Sequence, residues 1–218
     1  ITKGRGEAET PANLNMNYFL GLTSASLLTA DFEDKTNGGN HPITGTTVLS
    51  NNVWYHIAAS YDGTTWRIFL NGNSEATLSV GSFLPENTSI QHAGLGTAMT
   101  STGGAAGFFS GRIEEARIWN VARTQAEIQA SMGQEITSGI GLLGRWGLND
   151  GSGTTALNSI SGSPNGTLTN GPTWVIGIPF SVETWGLQFN GTNNYVTFGS
   201  ASGLATQTFT VETWFKRT

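Results

Sequence analysis

Apolar and polar residues alternate with period two in many short stretches of this chain, as they do in strands that bury one face. Residues 17–22 and 26–32 read as a hairpin, and residues 34–42 as a polar loop. Residues 53–61 and 65–70 alternate strongly, and Asp62-Gly63 between them is a hairpin signal, because both residue types tolerate positive φ. Asn71-Gly72 turns the chain again into residues 76–80, so three antiparallel strands make a meander. Residues 94–107, rich in Gly, Thr and Ala, read as a long surface loop, and residues 112–119 as the next strand. One helix is signalled: Thr124-Gln-Ala-Glu127 has capping-box spacing, which predicts a helix to about Met132 and a stop at Gly133. Further strands are expected at 142–148, 173–176, 185–189, 195–198 and 208–216, with turns at Asn170-Gly-Pro172 and at Asn190-Gly-Thr-Asn-Asn194. Val-Glu-Thr-Trp occurs at Val182 and again at Val211, but the flanks differ and no repeat is read from it. Many short strands with one helix predict an all-β fold, a two-sheet antiparallel sandwich.

Composition narrows the function. With 218 residues the chain suits one large all-β domain, and length alone also permits two small ones. Only 11% of residues are charged, while 30 glycines supply turns and seven tryptophans supply core. The formal net charge of −5 and the lack of any Lys/Arg cluster argue against nucleic acid as a partner. There is no cysteine, which removes disulfides, thiol chemistry and Cys-based zinc sites. No apolar run approaches 18 residues, so no membrane insertion is expected. The first residues carry no signal-peptide pattern, and any secretion signal is expected to lie outside these residues.

Several motifs resemble the laminin-G-like jelly roll of the concanavalin-like lectin/glucanase superfamily. The resemblance rests on Gly141-Leu-Leu-Gly-Arg-Trp146, Gly151-Ser-Gly-Thr-Thr155, residues 166–174, residues 187–196 and residues 209–214. It continues in Lys3-Gly4, in residues 54–63, in Gly111-Arg-Ile-Glu-Glu-Ala-Arg-Ile-Trp-Asn120 and in the helix at 124–132. In the family the motifs of residues 141–218 come first and those of 1–140 follow. The resemblance therefore implies one sandwich over 1–218 whose N-terminal family part is 141–218. It would be either circularly permuted or cut out of phase from a tandem array. Neighbouring termini make a permuted closure physically cheap. Strand pairing between chains would instead give a swapped oligomer, so the expectation is a monomer or a strand-swapped oligomer.

The resemblance also implies candidate sites. Sandwiches of this kind often hold a structural Ca²⁺, which needs six to eight oxygen ligands. Asn190, Asn193 and Glu114 stand at the matching places, where they lower the charge or change the reach relative to the family's acids. Retaining glycosidases on this fold need two carboxylates about 5 Å apart on one strand face. Glu114 and Glu115 are adjacent and should face opposite sides, while Glu183 and Glu212 are isolated, so no enzyme is expected. His41, His56 and His92 lack a nucleophile elbow. Glu115 and Arg117 share a face, and with Glu212 and His56 they read as a Glu–Arg–His network that fixes strand register. Trp54, Trp119, Trp146 and Trp214 match the family's core positions. Trp66, Trp174, Trp185 and Tyr195 are the candidates for an exposed sugar-stacking platform, with the loops at 34–40 and 97–107 setting specificity. The sequons at Asn87, Asn165 and Asn190 are common turn sequence.

The expected function is a non-catalytic recognition or adhesion module of a secreted or cell-surface bacterial protein. Its partner would be a glycan or an extracellular protein ligand. The alternative is a structural spacer repeat in a large adhesin.

Overall fold

The computed structural model describes residues 1–6, 12–176 and 185–218. Val182, Glu183 and Thr184 of the first Val-Glu-Thr-Trp segment lie outside the described residues. The strands in chain order are β1 (Thr2–Lys3), β2 (Tyr18–Leu22), β3 (Leu27–Asp31), β4 (Ile43–Val48), β5 (Trp54–Tyr61), β6 (Thr65–Leu70), β7 (Asn73–Ser79), β8 (Ala93–Leu95), β9 (Ala98–Met99), β10 (Ala105–Ala106) and β11 (Ser110–Trp119). After the helix α1 (Gln125–Ser131) come β12 (Leu142–Trp146), β13 (Thr155–Ala156), β14 (Gly166–Thr169), β15 (Thr173–Ile176), β16 (Trp185–Asn190), β17 (Tyr195–Thr197) and β18 (Phe209–Arg217).

Two antiparallel sheets form a sandwich. The first runs β13-β14-β17-β8-β1-β2-β3-β4, and the second β15-β16-β11-β18-β5-β6-β7, with β12 also paired to β11. Residues 1–140 and 141–218 contribute to both sheets. In particular β18 lies between β11 and β5, in an unbroken register with β5 from Phe209↔Tyr61 to Lys216↔Trp54.

The meander of β5, β6 and β7 forms where the alternation places it. Asp62 Oδ1 accepts from the amides of Thr64 and Thr65 and fixes the first turn. At the second turn Asn71 and Gly72 both take positive φ, 49° and 74°. Gly72 has a second duty: a Cβ there would lie 2.8 Å from Gln129, so its lack of a side chain lets α1 approach the turn. The helix is capped as its sequence predicts, with Thr124 accepting from the Glu127 amide and Glu127 accepting from the Thr124 amide.

The core between the sheets is aromatic at its centre. Tyr61, Trp66, Phe32 and Phe209 stand with ring centroids 4.6–6.2 Å apart, and Trp146 stacks on Phe198 at 4.1 Å. Trp66 is 0% exposed, which corrects its reading as a platform residue. The Asp62-Gly63 turn pairs Trp66 with Tyr61, and period two then sends Trp66 and Ile68 inward. The stretch 94–107 is not one surface loop. Ala93–Leu95 is a buried strand within the first sheet, and β9 and β10 make a small hairpin. β4 has no counterpart among the expected strands.

Among the described residues four strand pairs show a register shift, and two of these, in β7 and β11, redirect carboxylates. In β7 the pairs Ile68↔Ala76 and Phe69↔Ser74 leave Glu75 as the extra residue. Its carboxylate crosses to the edge of the other sheet and accepts from the amides of Thr46 and Thr47 at 2.8 and 2.7 Å. Those amides would otherwise belong to an open strand edge. In β11 the pairs Glu114↔Trp214 and Arg117↔Glu212 leave Glu115 and Ala116 opposite Thr213. Glu115 takes φ 52°, where a glycine is the usual residue.

Candidate functional site

The β11 bulge decides where the charges go. Ile113, Ala116 and Ile118 all belong to the inter-sheet core. Without an extra residue Ala116 and Ile118 would point out and Arg117 in. With it, Arg117 faces the outer side of the second sheet, opposite Glu212 of β18 and Arg145 of β12. Glu114, opposite Trp214, and Glu115, whose carboxylate meets Arg117 and Arg145, therefore serve the same side. That corrects the expectation that adjacent glutamates face opposite sides.

On this outer face lies a buried ionic cluster roofed by α1. Glu115 Oε2 accepts from Arg117 Nη2 and Nε at 2.9 and 3.0 Å, and Glu115 also pairs with Arg145. Glu212, 0% exposed, accepts from Trp119 Nε1 at 2.9 Å and from Arg123 Nη1 at 3.2 Å. It lies 3.5 Å from Arg117 and 3.4 Å from His56 Nε2. Burial alone would raise the Glu212 pKa, but His56, then Arg117 and Arg123, outweigh it and hold the carboxyl down at about 2. The expected Glu–Arg–His network thus exists. Arg123 and Arg145 are its members that the sequence reading missed. Their signal was available: Arg145 precedes the core residue Trp146, so alternation places it outside beside Arg117.

The cluster also holds the helix. Arg117 donates to the carbonyl of Ser131 at 3.1 Å and to that of Gln134, Trp214 Nε1 donates to the Met132 carbonyl at 2.6 Å, and Arg123 Nη2 donates to the Glu127 carbonyl at 2.8 Å. Carbonyls at a helix C-terminus lack partners within the helix, and cations are favourable there. Trp119 and Trp214 belong to this outer layer, with Arg123 4.2 Å over the Trp119 ring. Of the four expected core tryptophans, Trp146 lies between the sheets, and Trp54 and Trp214 are half-buried.

The proposed platform residues do not converge. Trp66 is core. Tyr195 belongs to the first sheet, half-buried, with Phe108 at 6.3 Å between centroids. Trp174 and Trp185 do share one rim. Trp174 pairs with Leu187 and Ile176 with Trp185, so both indoles lie on the inner side of the second sheet at its β15 edge. The Gly-Ser-Gly loop lies against them: Trp174 Nε1 donates to the Gly153 carbonyl at 2.9 Å. A Cβ on Gly151 would stand 3.1 Å from the Trp185 ring. Trp185 remains 36% exposed. The loop at 34–40 is pre-shaped by Asp34, whose Oδ2 meets His41 Nε2 at 3.0 Å, while His41 lies between Phe32 and Phe83 at 4.7 and 4.1 Å.

The structure does not bring the three metal candidates together. Asn190 Oδ1 already accepts from the amides of Thr192, Asn193 and Asn194, and its Nδ2 donates to Asn193 Oδ1 at 2.9 Å. Asn190 stands opposite Ser110, four residues from Glu114 along β11, which is about 13 Å of strand. Among the described residues no group of three or more His, Asp or Glu side chains is placed to hold a metal ion.

Two face-to-face antiparallel sheets define a β-sandwich of the jelly-roll kind. Residues 5–129, more than half of the chain, match a laminin G family described as the concanavalin A-like lectin/glucanases superfamily, and the chain belongs to it. Pappalysin-1 of Mus musculus is 35% identical over 82 residues, which cover 36% of this chain. The match spans only 5% of the length of that relative. No solved structure matches the chain.

Proposed function

We propose that this sandwich is a non-catalytic recognition module of a secreted or cell-surface protein, and that it binds a carbohydrate at the Trp174–Trp185 rim. The observation that carries the reading is the half-open indole of Trp185, seated on Gly151 beside Trp174. An aromatic face at a sheet edge offers a sugar ring a stacking surface, and the adjoining loop 149–154 offers polar groups for its hydroxyls. The arrangement of the carboxylates supports the non-catalytic part. Glu115 and Glu212 are covered by α1 and held by arginines, whereas a glycosidase pair must reach the substrate. The sequence family of lectin-type folds supports binding in general, and fold alone does not name a ligand.

A glycan array tests the reading, run on wild type and Trp185→Ala, with calcium and then with chelator. The expected result is a defined glycan class whose signal falls at least tenfold in Trp185→Ala. Absence of any hit on wild type, or hits that survive the substitution, would overturn it. Loss of signal in chelator would place a cation in the site. The spacer reading is favoured by one observation, the insertion of β18 between β11 and β5, which makes the two parts of the chain inseparable. It predicts no glycan hit and, if strands exchange between copies, a native mass above one chain.

A further inference from the structure

The outer face of the second sheet carries an open groove at the edge opposite the tryptophan rim. Cross-strand register lines up Thr210, Ser60, Arg67 and Thr77 in one row over β18, β5, β6 and β7. The turn at Asp62 walls one side of this row, and the segment 122–125 leading into α1 walls the other, enclosing about 490 Å³. That volume lies in the range of small-ligand sites, about 300–1,000 Å³.

The groove is lined with hydrogen-bonding groups that the fold leaves open. Arg67 Nη1 donates to Asp62 Oδ2 at 2.6 Å, and the other guanidinium donors of Arg67 meet no group among the described residues. An arginine carries five such donors in a rigid fork suited to carboxylate. Arg67 and Asp62 side chains are 37% and 34% exposed, so the pair is reachable. Ser74, Thr77 and Gln125 add hydroxyl and amide groups to the walls. Arg123 also lines the groove, although its guanidinium is engaged by Glu212, Ser131 and Glu127. Arg123 is balanced by Glu212, so anion binding in the groove rests on the open donors of Arg67.

We infer that this groove is a second saccharide site, selective for a sugar bearing a carboxylate, with Arg67 forking the carboxylate and Asp62, Thr77 and Ser74 taking hydroxyls. Phe69 beneath it is only 1% exposed, so recognition there involves no ring stacking. The site is independent of the Trp185 rim, and either can exist without the other.

Titration calorimetry with tri-galacturonic acid and with neutral galactotriose tests the inference on wild type, Arg67→Ala, Thr77→Val and Trp185→Ala. Circular dichroism would verify that each variant is folded. The expected result is binding of the acidic trimer at least tenfold tighter than the neutral one, weakening with salt. It should be lost in Arg67→Ala, reduced in Thr77→Val and unchanged in Trp185→Ala. No binding of the acidic trimer, or binding that survives Arg67→Ala, overturns the groove. Binding lost only in Trp185→Ala also overturns it and leaves the rim standing.

Discussion

Two charged regions share the outer face of the second sheet and differ in one respect, the helix. Beneath α1, Glu115, Glu212, Arg117 and Arg145 are buried, Arg123 is partly buried at the margin, and each pairs with at least one other member. Beyond the N-terminal end of α1, Asp62 and Arg67 form one partly exposed pair. Covered charges must be matched, because an unpaired buried ion costs several kcal/mol. Uncovered charges contribute about 0–1 kcal/mol and can be redirected to a ligand at little cost. Charge under the helix is therefore architecture, and charge beside it is available for recognition.

The largest effect should come from breaking the covered set. Arg117→Ala leaves Glu115 with Arg145 as its remaining partner and Glu212 with Arg123 and His56, and it removes donors to the carbonyls of Ser131 and Gln134. A loss of about 3–5 kcal/mol is expected by urea unfolding, with faster amide exchange in α1.

Acid should show the same region from another side. Glu212 is depressed from 4.5 to about 2, so its stabilisation is complete above pH 4.5 and is lost as pH falls through 2. The full swing is about 3 kcal/mol. In Glu212→Gln, which is less stable at neutral pH, the stability curve should flatten over that window. A variant that keeps the wild-type slope would remove Glu212 as its source.

A smaller effect is expected at the other bulge. Glu75→Ala uncaps the amides of Thr46 and Thr47, and a loss of about 1 kcal/mol is expected, with more self-association through the exposed β4 edge measured by light scattering. Smallest of all, Arg67→Ala should change stability by less than about 0.5 kcal/mol, while abolishing acidic-saccharide binding.

Much of the sandwich was legible, because hairpins, turns and the capping box are local signals. The meander over residues 53–80 and the helix start follow from Asp62-Gly63, Asn71-Gly72 and Thr124/Glu127 alone. β4 escaped notice because Ile43-Thr-Gly-Thr-Thr-Val48 is mostly small and polar, and it gains its edges only from β3 and Glu75. Ala93–Leu95 escaped because a three-residue strand has no period to read. The site was less legible for a stricter reason. Alternation assumes a constant phase, and the bulges at Glu75 and Glu115 shift it by one residue. Glu115 in β11 thus joins Glu114 on one side, an outcome no period-two count predicts. Trp66 failed as a platform because its side is set by register with Tyr61, which the sequence contained but the platform reading ignored. The separation of Asn190 from Glu114 is a register fact, and motif spacing does not carry it.

The most direct measurement is urea unfolding of wild type, Arg117→Ala and Arg67→Ala side by side at pH 7. The account predicts a midpoint drop worth several kcal/mol for Arg117→Ala with an unchanged m-value, and none resolvable for Arg67→Ala. Comparable losses in the two variants, or a larger one in Arg67→Ala, would contradict the division between covered and available charge.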